Sequence, residues 1–572
     1  LALENADRSE PREEFGNCGR HFKRVLAELP QGLPAHRDWA LHARSVTERI
    51  NRSVQTHADE TYQALQPLAE YMGHAFNAQN WTVSLFSEEV VRSGPTFPLS
   101  LILQRLDPPL REAAGIGGWQ VISPHPAHGR VLCIDALMDV QAASYSEPTV
   151  LITPHVKGSE EIPAGVTAVL TTDAPDLVSH VAVRARNANV LFATCFEKPV
   201  FDTLKQLADQ QVNLWVTTAG DVVVESGAAA QQAESNSNSN APALLSAPAR
   251  VLPPANAPWV VLPAQFTREL AGGKSNNLNA LRGNVGDWIQ FPASMTLPFG
   301  TFERVLDAPS NREIKNEYLK HLDNASREPI AHLSRVRETI LKLHATLELK
   351  DAINEAWTNA GLPALDWPDA WHGITRVWAS KWTDRAYFSR RARGVPHESL
   401  LMAVLIQQVV EADYAFVIHT ANPINGRRDE IYVEVVCGLG ETLVGNYPGR
   451  ALGFVFNKND RSIRLTSFPS KNEGLYGRGV IFRSDSNGED LQGFAGAGLY
   501  DSVLAHEPET RVLDYTQEPL VWDFAQRTSV LTAFAEIGLA VENALGSPQD
   551  IEGAVSRGRY FVVQTRPQVG LA

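Results

Sequence analysis

The chain has 572 residues, of which 44% are hydrophobic, and a net charge of −14 at pH 7. That apolar content supplies cores for about three or four domains, and the acidic balance argues against a nucleic-acid or anionic-membrane partner, which would require a basic field. Four scattered cysteines, Cys18, Cys133, Cys195 and Cys437, lack metal-type spacing, which fits a reducing compartment and excludes a disulfide scaffold. No run of about 18 apolar residues suits a membrane span. The opening LALENADRSEPREEF is too acidic for a signal or transit peptide and carries no initiator Met, so a fragment or processed form is expected.

From about 30 to 110 the pattern is helical, with Val46, Ile50 and Val54 at steps of four and Tyr62, Leu65, Ala69, Met72 and Phe76 along one face. From about Trp119 the period shortens to β-rich runs, GRVLCID, TVLIT, TAVLTT, VLFATC, NLWVTT and DVVVES, with helices between them. This predicts a compact α/β domain. Ser226 to Pro258 is rich in Ala, Ser, Asn and Pro and reads as a linker, about 30 Å across if flexible and about 110 Å if extended. A mixed α/β region follows from Trp259. Its Trp357, Trp367, Trp371, Trp378 and Trp382 are expected to pack helices rather than stack on sugars.

Chemistry concentrates at a few places. In TTDAPDLVSHVAVRARN, Pro175 and Asp176 are turn residues, Ser179 is an N-cap and His180 falls in the first helical turn. The free N–H groups of that turn favour a dianion and keep the imidazole neutral and nucleophilic. Arg184, at i+4, shares its face and suits phosphate oxygens, with Arg186 close behind. A histidine in that setting could carry a phosphoryl group.

Gly272-Gly273-Lys274 offers a close backbone approach and an ammonium group. It is not a Walker loop, because Arg268 stands where that motif needs glycine. Arg483, in RSDSNGED, offers a planar donor fork. Asp550 and Glu552 alternate in one short run and Gln564 lies in a second, so hard oxygen ligands for Mg²⁺ would face one way if both are strands.

The segment TTDAPDLVSHVAVRARNANVLFATCF resembles the phosphohistidine region of the α-glucan, water dikinases, the plastid enzymes that phosphorylate starch. FPASMTLPFGTF, VWASKWTDRAYFSRR, MAVLIQQVVEADYAFVIHTANP, EVVCGLGETLVGNYPGRALGF and VIFRSDSNGEDLQGFAGAGLYDSV follow that family's pattern in order, so the resemblance runs from about Ser45 to the end. It implies an α/β multidomain chain: a helical region (1–110), a swivelling phosphohistidine domain (111–225), a flexible linker (226–258) and an ATP-grasp-like nucleotide domain (259–572).

It also implies that the β-phosphate of ATP passes through His180 to a glucosyl hydroxyl, C6 being the expected acceptor. The γ-phosphate would go to water, leaving AMP and orthophosphate. His180 and Arg184 would be catalytic; Lys274, Arg483, Asp550, Glu552 and Gln564 would bind ATP, with Mg²⁺ on Glu552 and Gln564. The implied location is the plastid stroma and the implied partner an α-glucan, with no nucleic acid or membrane; a homodimer stays open. No starch-binding module is recognisable.

The rivals are a phosphoglucan, water dikinase acting at C3 and a pyruvate- or phosphoenolpyruvate-type dikinase. The latter needs a (β/α)₈ barrel of about 250 residues, which the sequence does not supply. A catalytically silent glucan-associated scaffold would not need His180, Lys274, Arg483 and Glu552. Plant-type members carry CFATC after the phosphohistidine helix, a pair expected to close under oxidation. Here Leu191 replaces the first cysteine, so Cys195 is expected to be buried and inert.

Overall fold

The computed structural model describes residues 9–28, 33–141, 143–158, 160–175, 179–216, 221–227, 257–325, 327–392, 394–445, 447–488 and 499–568. Most of the predicted linker, residues 228–256, lies outside them.

Helices come first: α1 (Ser9–Ala27), α2 (Leu33–Ala75), α3 (Asn80–Ser93) and α4 (Thr96–Ala113). Val46, Ile50 and Val54 are buried as their period predicts, in one cluster with Cys18, Val25 and Leu103. The second stripe behaves differently, since Tyr62, Met72 and Phe76 are exposed. Periodicity marks an apolar face without saying whether anything covers it.

Three arginines of α2 bind this helical region to the C-terminal half. Arg37 donates to Leu465 O (3.1 Å), Arg52 to Ser470 O, and Arg49 to Leu513 O (2.6 Å). Arg49 also meets Glu14 through Nε (2.6 Å) and Nη2. The pair is almost wholly buried, where removing one partner would cost about 3–5 kcal/mol.

The β-rich runs build one sheet: β1 (Trp119–Ser123), β2 (Ala127–Cys133), β3 (Ser144–Thr153), β4 (Ala164–Thr171), then α5 (His180–Asn187), β5 (Leu191–Cys195), α6 (Lys198–Lys205), β6 (Gln211–Val216) and β7 (Val222–Ser226). Its order is β1-β5-β4-β3-β2-β6-β7. The central strands β2 to β5 are parallel and β1, β6 and β7 join antiparallel. Val150, Leu151 and Ile152 are consecutive and all buried, as a parallel strand covered on both faces requires. The crossover between β4 and β5 is α5, so His180 stands where the chain leaves a strand and enters a helix.

The remainder opens with α7 (Gly273–Leu281), β8 (Ile289–Gln290) and β9 (Ser294–Leu297). Six helices follow: α8 (Thr301–Leu306), α9 (Arg312–Ala325), α10 (Pro329–Ile340), α11 (Leu347–Ala360), α12 (Trp367–Ser380) and α13 (Asp384–Ala392). Trp378 and Trp382 are buried there, while Trp367 stacks on Trp371 (5.8 Å between centroids) and Trp371 meets Trp378 edge-on (5.7 Å). The tryptophans are helix packing, as expected.

Next come β10 (Met402–Val409), β11 (Tyr414–His419), β12 (Glu430–Cys437), α14 (Glu441–Val444), β13 (Leu452–Asn457) and β14 (Ile463–Ser467). The chain ends with β15 (Glu473–Tyr476), β16 (Gly479–Ser486), β17 (Ser502–Leu504), β18 (Glu509–Val512), α15 (Pro519–Trp522), α16 (Phe524–Leu545), β19 (Gln549–Ser556) and β20 (Arg559–Pro567). These strands form two principal sheets, β17-β16-β10-β9 and β14-β13-β12-β11-β19-β20-β8, and the small pair β15-β18. The fold class is mixed α/β, with helices leading.

One contact between α1, α2 and the C-terminal half titrates. His21 Nε2 lies 2.8 Å from His42 Nε2, and His42 stacks on Phe468 (4.6 Å) beside Trp522 (4.7 Å). Burial first, then Arg49, holds His21 at about 4; burial first, then His21 itself, holds His42 well below its ordinary value. Both rings are neutral when folded, whereas an unfolded imidazole takes its proton near 6.5. Depressed histidines therefore contribute stability that is fully present above about 6.5 and is lost as pH falls toward about 4. We expect the midpoint of urea unfolding to drop over that window and His42→Phe, which keeps the stack on Phe468, to flatten the drop. An unchanged slope in that variant would show that other groups carry the acid sensitivity.

Candidate functional site

The glycine-lysine loop and the arginine strand are tied together by one carboxylate. Asp485, on β16, accepts from Gly272 N–H (3.0 Å) and Lys274 N–H (2.9 Å), capping the start of α7. A Cβ on Gly272 would lie 2.5 Å from Asp485 Oδ1 and 2.7 Å from its backbone carbon, so that position has room only for glycine. Lys274 Nζ donates to Ser484 O (2.7 Å), which sets the ammonium group beside Arg483 in β16. Ten residues of the loop after β16, 489–498, including Glu489, Asp490 and the Gly493–Gly496 run, lie outside the described residues.

The carboxylate pattern at the C-terminus forms a hairpin. Glu552 of β19 faces Gln564 of β20 directly across the ladder, and Asp550 faces Arg566. Glu552 pairs with Arg483 at 3.1 Å, which joins this hairpin to the arginine strand. Gln564 Oε1 is buried and has no hydrogen-bond partner among the described residues. Asp550 is held by Arg566 (2.6 and 2.9 Å); against burial, Arg566 and His419 draw its carboxyl below the ordinary value.

Between the two principal sheets lies a cavity of about 490 Å³, walled by Lys274, Arg483, Asp550, Glu552 and Gln564. All five residues expected to bind a nucleotide therefore share one space. Glu441 of α14 lines it too. Its carboxyl opens onto the cavity yet is surrounded by protein, and burial, then the charge of Glu552, raise it to about 7, opposed by Arg483. Among the described residues no group of three or more His, Cys, Asp and Glu side chains is gathered for a metal. Glu552 with the unpartnered Gln564 oxygen is nevertheless the hard-oxygen pair that Mg²⁺ accepts alongside phosphates.

Helix α5 shares a buried cluster with a strand that walls this cavity. Val181, Ala182 and Ala185 of α5 belong to one buried cluster with Ala415 and Val417 of β11, and those two residues also line the cavity. Ser179 is fully buried in extended backbone at the N-cap position, as expected, but makes no capping hydrogen bond. Arg184 donates to Glu160 O (2.8 Å) and pairs with Glu161 (3.2 Å). Arg186, expected to assist a phosphoryl group, turns instead toward Ile122 O (3.4 Å) and the charges of Asp550 and Glu434.

Residues 118–234 match the family model "Alpha-glucan water dikinase, phosphohistidine-like domain", and residues 367–571 match "Pyruvate phosphate dikinase, AMP/ATP-binding domain". The chain is 45% identical over 542 residues to "Alpha-glucan water dikinase, chloroplastic" of Citrus reticulata, covering 93% of this chain and 37% of that protein. It is 43% identical over 580 residues to the Solanum tuberosum protein of the same name, covering 100% and 39%. Against "Alpha-glucan water dikinase 1, chloroplastic" of Arabidopsis thaliana it is 43% identical over 582 residues, covering 100% and 41%. Along its whole length the chain is similar to α-glucan water dikinases. It spans about two fifths of the length of these relatives.

Several side chains of the cavity were not foreseen, three charged ones on helices among them. Arg376 of α12 and Arg385 of α13 line it, and Arg385 donates to Leu499 O (3.2 Å) and pairs with Asp501. The dikinase-like segment VWASKWTDRAYFSRR contains Arg385 and begins one residue after Arg376, but nothing in its periodicity aims a helical arginine at strands a hundred residues away; Glu441 was hidden likewise in GLGETLVG. Of the expectation for Cys195, burial is observed. The residue sits in β5, its Sγ donates to Glu197 O (3.5 Å), and burial raises its thiol.

Asp485 should matter as much as the residues that touch phosphate, because it sets Lys274. Asp485→Ala removes the acceptor of two amides, a loss of about 1–3 kcal/mol. We expect ATP affinity, read by calorimetry, to fall about tenfold, equivalent to about 1.4 kcal/mol. Unchanged affinity would mean that α7 is held by other contacts.

Proposed function

We propose that the chain is the catalytic portion of an α-glucan, water dikinase, transferring the β-phosphate of ATP through phospho-His180 to a glucosyl hydroxyl of a starch-like α-glucan. C6 is the acceptor in this reading. The docking of α5 on the cavity wall carries it, through the cluster that Val181, Ala182 and Ala185 share with Ala415 and Val417. A helix that begins at a histidine and lies against a cavity lined by lysine, arginine and carboxylates is what charging a carrier from a polyphosphate requires.

In this mechanism His180 is the nucleophile and carrier. Its N–H-rich helix start favours the phosphorylated form, while Arg184, fixed by Glu160 and Glu161, stands one helical turn behind. Lys274 and Arg483 bind the triphosphate and orient its β-phosphorus. Glu552 and Gln564 would hold Mg²⁺, which would supply positive charge against the phosphates. The bonds from the β-phosphoryl group to AMP and to the γ-phosphate both break. In balance, ATP, water and one glucan hydroxyl give AMP, orthophosphate and one phosphate monoester.

The nucleotide portion reads as ATP-grasp-like, supported by the cavity between its two sheets. The divisions at 110, 225 and 258 are our proposed boundaries, with α4 reaching Ala113 and β7 ending at Ser226. A plastid location is supported by the names of the relatives.

His180→Ala removes the carrier and leaves the cavity intact. Incubated with β-labelled ATP, it should take up no label and phosphorylate no glucan while still binding ATP. Label retained on that protein would remove His180 from the reaction.

A further inference from the structure

A carrier that serves two sites must be held at each and released from each. The sheet β1–β7 is joined to α4 by Ala114-Gly115-Ile116-Gly117-Gly118, in which Gly115 has φ +65°. Beside this joint, Phe196 projects from the end of β5 into a ring of three guanidinium groups. Arg44 of α2 lies 4.8 Å from the ring centroid, Arg450 of the nucleotide portion 5.2 Å and Arg111 of α4 5.8 Å.

The arginines are themselves fixed. Arg450 donates to Glu48 of α2 (2.8 Å) and to Gln120 of β1 (2.7 Å). Asp107 binds Arg44 (3.2 Å) and Arg111 (2.9 Å). Arg44 and Arg111 are buried, and α2 is tied to the C-terminal half by Arg37, Arg49 and Arg52. Three arms of one body thus converge on a single ring of another, and beside the ring the Arg450–Gln120 hydrogen bond and the Arg111–Glu197 pair (3.9 Å) cross between them. Cation–π contacts of this kind gain strength as they are desolvated.

We propose that Phe196, gripped by Arg44, Arg111 and Arg450 and seconded by Gln120, is the latch that holds the carrier domain in its nucleotide-facing position. This rests on the carrier reading of His180. The five are positioning residues. Opening the latch breaks the three ring contacts, the Arg450–Gln120 hydrogen bond and the Arg111–Glu197 pair. Closing it sets α5 against the cavity wall.

The test uses the two half-reactions, charging from β-labelled ATP and transfer from precharged enzyme to soluble maltooligosaccharide. If docked and undocked states exchange, weakening the docked one changes their ratio by the same factor whichever predominates. We expect Phe196→Ala to raise the ratio of transfer rate to charging rate about tenfold, the factor that about 1.4 kcal/mol gives. Phe196→Trp, which keeps a ring for the guanidinium groups, should return the ratio toward the parent value. Small-angle scattering should show a larger maximum dimension for Phe196→Ala.

Both rates falling together, or neither moving, would overturn the latch, as would a ratio that Trp does not restore. Should Phe196→Ala not fold, Gln120→Leu makes the same test through the crossing hydrogen bond. A parent protein that takes no label from ATP would strike the carrier reading instead, a result distinguishable from failure of the latch.

Discussion

An imidazole accepts a phosphoryl group only from a donor within contact distance, so the docking of α5 on the cavity wall is the constraint on which the arrangement depends. Val181, Ala182 and Ala185 share one buried cluster with Ala415 and Val417 of β11, together with larger side chains of both portions, Leu151, Phe192, Tyr432 and Leu443 among them. A second interface lies where α1 and α2 bind the C-terminal half through buried charge pairs and ring stacking.

Local charge and net charge point in opposite directions. The chain carries −14 overall, yet Lys274, Arg376, Arg385 and Arg483 line one cavity, and Arg44, Arg111 and Arg450 surround one ring. Each group is held by carboxylates or carbonyls: Arg483 by Glu552, Arg385 by Asp501, Arg450 by Glu48. Pre-set positive charge of this kind attracts polyphosphate without reorganising, while the acidic exterior discourages nucleic acid.

Much of this was legible in the sequence because its signals are local. The β-rich runs became β2 to β7 since alternation and apolar runs are properties of one strand at a time. Asp550 and Glu552 could be paired with Gln564 because a two-residue period fixes which side chains share a face, and the hairpin then sets Glu552 opposite Gln564. Signals that depend on tertiary approach were not legible. Arg376, Arg385 and Glu441 reach the cavity from helices far away in sequence, and Asp485 gains its role only when β16 meets the start of α7. Arg186 shares a helix with Arg184 but turns toward the nucleotide sheet, because a helix touching two bodies divides its faces between them. The exposed Tyr62, Met72 and Phe76 show the converse, a helical stripe that periodicity finds and burial does not follow.

The central claim is that one histidine relays the β-phosphate while the γ-phosphate goes to water. The most direct measurement follows a single turnover with ATP labelled at either the β or the γ position, counting label in protein, soluble α-glucan and free phosphate. The account predicts β-label first on the protein and then on glucan, γ-label only in free phosphate, and AMP formed in equal amount with each. ADP as the nucleotide product, or γ-label on the glucan, would contradict it.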